Sequence, residues 1–272
     1  VIGAALAAAA ERLDGVADDP RREARMLMAA ALGVPLPALG AVSPDDPVPD
    51  NFEGLVERRA GGEPMAYVLG ERGFWTIDLK VGPGVLIPRP DSETLIEAAV
   101  EHFEGGADPD RILDLGTGPG TLLLAALDQF PRARGLGIDA SEVALEYARD
   151  NAARLGLADR AAFRKGDWAE GVTGSFDLIL CNPPYVALAD ELGPGVREHE
   201  PHEALFAGEE GLDDYRRIIP QIGPLLAPEG VALLEIGHTQ AEAVRALVEA
   251  SGTKAFMKKD LAGRPRLIGF TG

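Results

Sequence analysis

Three things are scarce in this chain, and each scarcity excludes a class of protein. Cysteine occurs once in 272 residues, as Cys181, which rules out an internal disulfide framework and any zinc site built from several thiolates. Apolar runs are short: none reaches the length needed to span a bilayer as a helix. Basic residues are few, with 26 Lys plus Arg against 44 Asp plus Glu and a formal net charge of −18. A surface that follows a nucleic-acid backbone needs basic patches to neutralise phosphates, so no nucleic-acid specificity is expected. The opening "VIGAALAAAAERLDG" has no basic leader and reads as a helix, not a signal peptide. These features together suggest a cytoplasmic protein without membrane attachment.

What is present is a globular composition, 46% hydrophobic and 26% charged, arranged in two styles that meet near residues 75–90. Residues 3–70 carry helical periodicity and no convincing strand. In "DPRREARMLMAAALG" Asp19 stands at an N-cap, Pro20 at the first helical position and Gly33 at the stop. "NFEGLVERRAGGEP" reads as a second short helix ended by glycines. "FWTIDLKV" (74–81) alternates as a strand, half of a possible hairpin. Beyond the loop "GPGVLIPRPDSE", Asp91 or Ser92 is placed to cap a helix running to about His102. From Arg111 strands and helices alternate, which predicts a mainly parallel α/β sheet with helices on both faces. The tail "KAFMKKDLAGRPRLIGF" reads as an antiparallel hairpin closing the sheet. The domains expected are therefore 1–73 (helical), 74–90 (strand or hairpin linker) and 91–272 (the α/β domain).

Polar signals end four successive strands. "DLGTGPG" (114–120) ends the first and spaces its glycines G-x-G-x-G, giving a tight turn that a ligand can approach closely. Asp139 ends the second strand, nineteen residues after Gly120, where a carboxylate can accept from ribose hydroxyls. Asp167 and Trp168 follow the third, offering a carboxylate and a flat ring for an adenine. "CNPPY" ends the fourth, placing Asn182, Pro183, Pro184 and Tyr185 after the apolar run "FDLILC". Signals of this kind converge on one crevice in open α/β sheets.

These motifs resemble a known family. "DLGTGPG", "GIDAS" and "NPPY" are similar to the S-adenosylmethionine-dependent methyltransferases that act on planar nitrogen. "YVLGERGFW", "VLIPRPDSETL", "EHEPHEALFAGEEGLDDYRRI", "LLEIGHTQ" and "DLAGRPRLIGF" resemble, within that group, the HemK/PrmC family. The likeness runs from about Asp19 to Gly272, and "IPRPDSETL" separates this family from relatives that modify ribosomal-protein glutamine. The resemblance implies a Rossmann-like class I methyltransferase sheet behind a small N-terminal all-helical, substrate-docking domain. It implies methylation of the glutamine side chain in the Gly-Gly-Gln motif of peptide-chain release factors. Gly116, Thr117, Gly118, Pro119 and Gly120 would then contact the methionine part of S-adenosylmethionine, Asp139 its ribose, and Trp168 with Asp167 its adenine end. Asn182, Pro183, Pro184 and Tyr185 would hold the substrate amide, with Arg89 and Glu200 on the substrate side. Pro119 and Pro265 depart from the family's usual residues.

A glutamine amide is a poor nucleophile, because its lone pair is delocalised into the carbonyl. Two acceptors, the Asn182 side-chain oxygen and the Pro183 carbonyl, would fix both amide hydrogens and orient the lone pair, with Tyr185 packing on the amide plane. Arg89 is read as facing the crevice, with a pairing to Asp91 as the alternative. Cys181 is read as core, and His102 and His238 as surface residues. "REHEPHEA" (197–204) has ligand spacing too loose for a metal site, and no metal is expected. The alternatives are methylation of ribosomal-protein glutamine, an exocyclic-amine methyltransferase acting on nucleic acid, a nicotinamide oxidoreductase and a silent binding protein. The charge balance counts against the nucleic-acid reading, and the G-x-G-x-G spacing against the oxidoreductase.

Overall fold

The computed structural model describes residues 1–193 and 195–272. It divides into two compact units, residues 1–71 with 192–199, and residues 72–191 with 200–272.

The first unit is helical, with α1 (Ile2–Arg12), α2 (Pro20–Leu32), α3 (Phe52–Ala60), α4 (Met65–Leu69) and the short α8 (Val196–His199). Its core joins Ile2, Leu13, Leu27, Met28, Phe52 and Val56. The start of α2 follows its sequence signals: the Asp19 carboxylate accepts from Arg22 N at 3.0 Å, and Pro20 takes the position whose N–H would go unused. Gly33 ends the helix at φ 66°, where a side chain would be strained.

The second unit begins with a two-stranded hairpin, β1 (Glu71–Phe74) and β2 (Ile77–Lys80). The strand expected over 74–81 is therefore broken: Phe74 closes β1 and Trp75 turns the chain at φ 53°. Trp75 is held there because its N–H donates to Glu93 (2.9 Å) and its indole to Gln129 (3.3 Å). Helix α5 (Glu93–Phe103) follows a single 3₁₀ turn over Pro90–Ser92, and no side chain caps it. The expected cap from Asp91 or Ser92 is absent because both side chains are engaged elsewhere, Asp91 with Arg266 and Ser92 with Asn182.

A seven-stranded sheet with order β5-β4-β3-β6-β7-β9-β8 forms the rest. Its strands are β3 (Arg111–Leu115), β4 (Arg134–Asp139), β5 (Ala161–Lys165), β6 (Phe176–Cys181), β7 (Leu226–Glu235), β8 (Ala255–Lys259) and β9 (Pro265–Thr271). The remaining helices are α6 (Thr121–Gln129), α7 (Glu142–Arg154, capped by Ser141), α9 (Asp213–Ile222) and α10 (Ala241–Ala250). Pairing is parallel from β5 to β7, and β9 enters antiparallel between β7 and β8. Strand β7 starts at Leu226, earlier than the apolar run "GVALLEIG" suggests, because Leu226 pairs with Phe176 before a register shift.

Chain order reverses between β3 and β6, the point at which ligands bind in open α/β sheets. Register does the rest. Leu115 lies opposite both Ile138 and Cys181, and Asp139 opposite Lys165, so four strands end level with one another.

The turn leaving β3 is clamped by Asp114, a carboxylate only 1% exposed. Its Oδ2 accepts from the Thr117 hydroxyl (2.6 Å) and Leu123 N (3.2 Å), while Oδ1 has no partner. Burial pushes its pKa up to about 7, helped by the charge of Asp139 and opposed by the Thr117 and Leu123 bonds. A carboxyl raised in the folded state stabilises the fold below its unfolded pKa of about 4, and that stability is lost as pH rises through the folded value. Calorimetric melting at pH 6, 7 and 8 should show the midpoint falling with pH, and Asp114→Asn should flatten that slope. An unchanged slope would mean that Asp114 does not titrate in this range.

Candidate active site

The four level strand ends open into one cavity of about 620 Å³, a size typical of small-ligand sites. It is lined by segments of the second unit alone: the β2–α5 loop, the glycine turn, Asp139 to Ala144, Gly166 to Trp168, Asn182 with Pro184, Pro201 to Ala204, and α9.

Backbone geometry shapes the floor. Gly116 N and Thr117 N both donate to Ile138 O at 2.9 Å, folding the turn back against β4. Gly116 sits at φ 72°, and a Cβ there would come within 3.1 Å of the Trp168 ring. Trp168 itself holds φ 50°, strained for a residue with a side chain. Its ring packs against Gly116, and Asp214 of α9 lines the same cavity. Gly118 has open space where a side chain would be. Gly120 does not face the cavity; it packs against Leu124 and starts α6.

Asp139 is half-buried and holds the turn as well as the wall. Its Oδ2 accepts from Gly118 N and its Oδ1 from Ser141 N, each at 2.8 Å. Burial raises its pKa, against those backbone bonds. Each oxygen retains a second lone pair for a ligand hydroxyl. Asp167 pairs with Arg217 at 2.5 Å near the rim.

Of the residues singled out from sequence, Arg89, Gly116, Thr117, Gly118, Pro119, Asp139, Asp167, Trp168, Asn182 and Pro184 line this cavity. Pro183, Tyr185 and Glu200 do not. Glu200 lies 4% exposed and accepts from Ile87 N (3.0 Å) and Arg89 (2.5 Å), which makes it a brace for the "IPRP" loop. Arg89 thus faces the cavity while paired with Glu200; Asp91 pairs instead with Arg266 at 2.9 Å. Thr117 is 3% exposed, its hydroxyl given to Asp114. Cys181 is fully buried in the sheet core, and burial pushes its thiol well above the usual range. His102 and His238 are exposed.

Several contacts that matter here were not read from the sequence. Asn151 is buried on α7, where its Nδ2 donates to Pro119 O (2.9 Å) and Lys80 O (3.0 Å) and its Oδ1 accepts from Lys80 N (2.7 Å). It ties the glycine turn to β2. An amide on the apolar stripe formed by Ala144, Leu145, Ala148 and Ala152 was the signal available for it. Gln240 holds the segment after Asn182 by donating to Tyr185 O (2.9 Å) and Gly211 O (3.1 Å). Ser92 accepts from Asn182 Nδ2 at 3.2 Å, and Tyr185 OH donates to Glu235 Oε1 at 3.2 Å. Glu235 is 1% exposed at the end of β7. Burial pushes its pKa up to about 7, against a lowering by Ser92, Arg266 and Tyr185. Among the described residues no group of three His, Cys, Asp or Glu side chains is placed to hold a metal ion.

Similarity to known proteins covers both units. Residues 107–256 match the family described as Methyltransferase domain, and residues 4–70 the PrmC N-terminal domain. A release factor glutamine methyltransferase of Rhodospirillum rubrum is 45% identical over 92% of this chain and 78% of its own. One from Cereibacter sphaeroides is 43% identical over 97% of this chain and 96% of its own. Among solved structures the hMettl16 catalytic domain, in complex with an RNA hairpin, shares the fold at TM-score 0.55 and 17% identity, over 71% of this chain and 75% of that one. The strand-end site therefore belongs to an S-adenosylmethionine-dependent transferase, and the chain is a member of the release factor glutamine methyltransferase (PrmC) family.

Proposed function

We propose that this enzyme transfers a methyl group from S-adenosylmethionine to the side-chain amide nitrogen of the glutamine in the Gly-Gly-Gln motif of peptide-chain release factors. The observation that carries the reading is the state of Asn182. Its amide nitrogen is committed to Ser92, which leaves its oxygen to accept from a second amide at the cavity edge.

The cavity's chemistry suits the cofactor. Gly116 and Gly118 leave the turn open to close approach, Trp168 supplies a flat wall, and Asp114 Oδ1 is an unpartnered acceptor that suits an ammonium group. Asp139 would hold the ribose hydroxyls through its remaining lone pairs. Bound there, S-adenosylmethionine supplies an electrophilic methyl carbon on a sulfonium.

The protein's own part is to hold a weak nucleophile. The Asn182 oxygen and the Pro183 carbonyl each accept one amide hydrogen of the substrate glutamine, which turns its nitrogen lone pair out of conjugation. Positioning of this sort supplies up to roughly 7–11 kcal/mol, so no strong base is needed, and the methylated nitrogen loses its proton readily. Tyr185 stays protonated, because burial and Glu235 push its phenol upward. The helical unit, in this reading, docks the protein around the glutamine.

Mass spectrometry of a release factor incubated with the enzyme and labelled S-adenosylmethionine should find one methyl group on the Gly-Gly-Gln glutamine; unmodified factor would refute the reading. Asp139→Ala should weaken S-adenosylmethionine by about 1.5–3 kcal/mol for each charged hydrogen bond lost, measured by calorimetry. Asn182→Ala should lower kcat on the order of 100-fold with cofactor affinity nearly unchanged, and a normal rate would reduce the motif to a turn. A chain beginning at Phe74 should bind the cofactor yet fail on the intact release factor; full activity would remove the docking role.

A further inference from the structure

The glycine turn commits its own N–H groups to the protein. Gly116 N and Thr117 N donate to Ile138 O (2.9 Å each), Gly118 N to Asp139 Oδ2 (2.8 Å) and Gly120 N to Thr117 O (2.9 Å). Pro119 has no N–H, so its backbone can be held only through its carbonyl. Asn151 takes that carbonyl, its Nδ2 donating to Pro119 O at 2.9 Å. Both ends of the Pro119–Gly120 peptide are then engaged, and its plane has one orientation.

The other polar contacts of Asn151 lie on β2. Its Oδ1 accepts from Lys80 N (2.7 Å) and its Nδ2 donates to Lys80 O (3.0 Å). One N–H on one side and two carbonyls on the other admit a single amide orientation, since a reversed amide would set donor against donor and oxygen against oxygen. The side chain is fully buried. The chain leaving β2 then stays against the same face of α7, where Val143, Tyr147 and Asn151 follow one another at intervals of four. A Cβ at Gly82 would run into the Tyr147 hydroxyl, and one at Gly84 would come within 2.9 Å of Val143. Gly84 and Pro119 both line the cavity, and Asn151 stands behind them, outside it.

We propose that Asn151 is a positioning residue for the methyl donor: through the Pro119 carbonyl it fixes the part of the glycine turn that meets the donor's amino-acid arm, in register with the chain leaving β2. This rests on the reading that the turn takes the methionine part of S-adenosylmethionine and Asp139 its ribose. Asn151 touches neither donor nor substrate. Its effect falls on the half of the ligand at the turn. The adenosine half is spared, because Asp139 keeps its own hold through Ser141 N (2.8 Å) and Trp168 belongs to a different strand end.

Two ligands that differ only in the amino-acid arm test this. S-adenosylhomocysteine carries the arm, and 5′-methylthioadenosine ends in a methyl group instead. Asn151→Asp keeps the acceptor for Lys80 N and loses the donor to Pro119 O. By calorimetry it should weaken S-adenosylhomocysteine on the order of 10-fold, the effect of one buried hydrogen bond left unmade. Affinity for 5′-methylthioadenosine should stay at the wild-type value. A structural role alone lowers both affinities together, and an inert residue lowers neither; either result overturns the proposal. The wild-type chain gives a second answer that does not depend on a variant folding. Because Lys80 N is bonded to the same amide, its hydrogen exchange should be slower with S-adenosylhomocysteine than with 5′-methylthioadenosine at equal saturation, and equal exchange overturns the proposal. Asp139→Ala is the control and should weaken both ligands alike. Loss of neither would remove the cofactor reading beneath, so the two failures are separable.

Discussion

Parallel pairing of β3 with its two neighbours is the constraint on which the site depends. Because Leu115 lies opposite Ile138 on one side and Cys181 on the other, the residues that follow each strand emerge at one height. Nothing in Asp139, Trp168 or Asn182 alone makes a binding site. A one-residue slip of β6 would swing Asn182 to the other face of the sheet and bury it, since successive side chains alternate. The fully buried Leu113, Leu115, Ile179, Leu180 and Cys181 resist such a slip, because exchanging faces would break packing on both sides of the sheet at once.

On that frame two buried carboxyls do different jobs. Asp114 tightens the glycine turn from below through Thr117 and Leu123. Glu235 stands behind the Asn-Pro-Pro-Tyr segment and takes the Tyr185 hydroxyl. Each has one oxygen without a partner, and burial raises each to about 7. Ionised, such groups oppose folding, and a neutral isostere would fit the core better. Their presence at the ends of β3 and β7, next to the cavity, is the arrangement in which stability is exchanged for a fixed polar geometry.

How much of this could be read from sequence depended on the distance over which each group acts. Asp19 and Ser141 were legible because their partners lie three residues away, where chain geometry leaves few choices. The convergence of strand ends was legible for a topological reason: alternating strands and helices admit few sheet orders. The caps expected at Asp91 and Ser92 misled, because tertiary partners outbid the local ones. Ser92 meets Asn182 across 90 residues and Tyr185 meets Glu235 across 50, and no periodicity records such pairings. Asn151 lay between these cases, an amide on an apolar helix stripe that announced a buried polar partner without naming it.

Glu200 shows the same limit from the other side. Its place in a motif suggested a place on the substrate side, and its hydrogen bonds give it a further task, as a buried brace beneath Arg89 and the Ile87 amide. A motif marks residues that a site needs, whether or not they touch the ligand. The distinction has a physical basis: a reacting group must be held to within a fraction of an ångström, so the side chains that hold it are as constrained as those that contact it. Glu200, Ser92 and Asn151 each spend their polar atoms on the protein itself, and in doing so they leave Arg89, Asn182 and the glycine turn with one orientation each. Selectivity for an amide then follows from polarity. An acceptor oxygen at the cavity edge suits a substrate with two N–H donors, and a reversed Asn182 would present donors to donors.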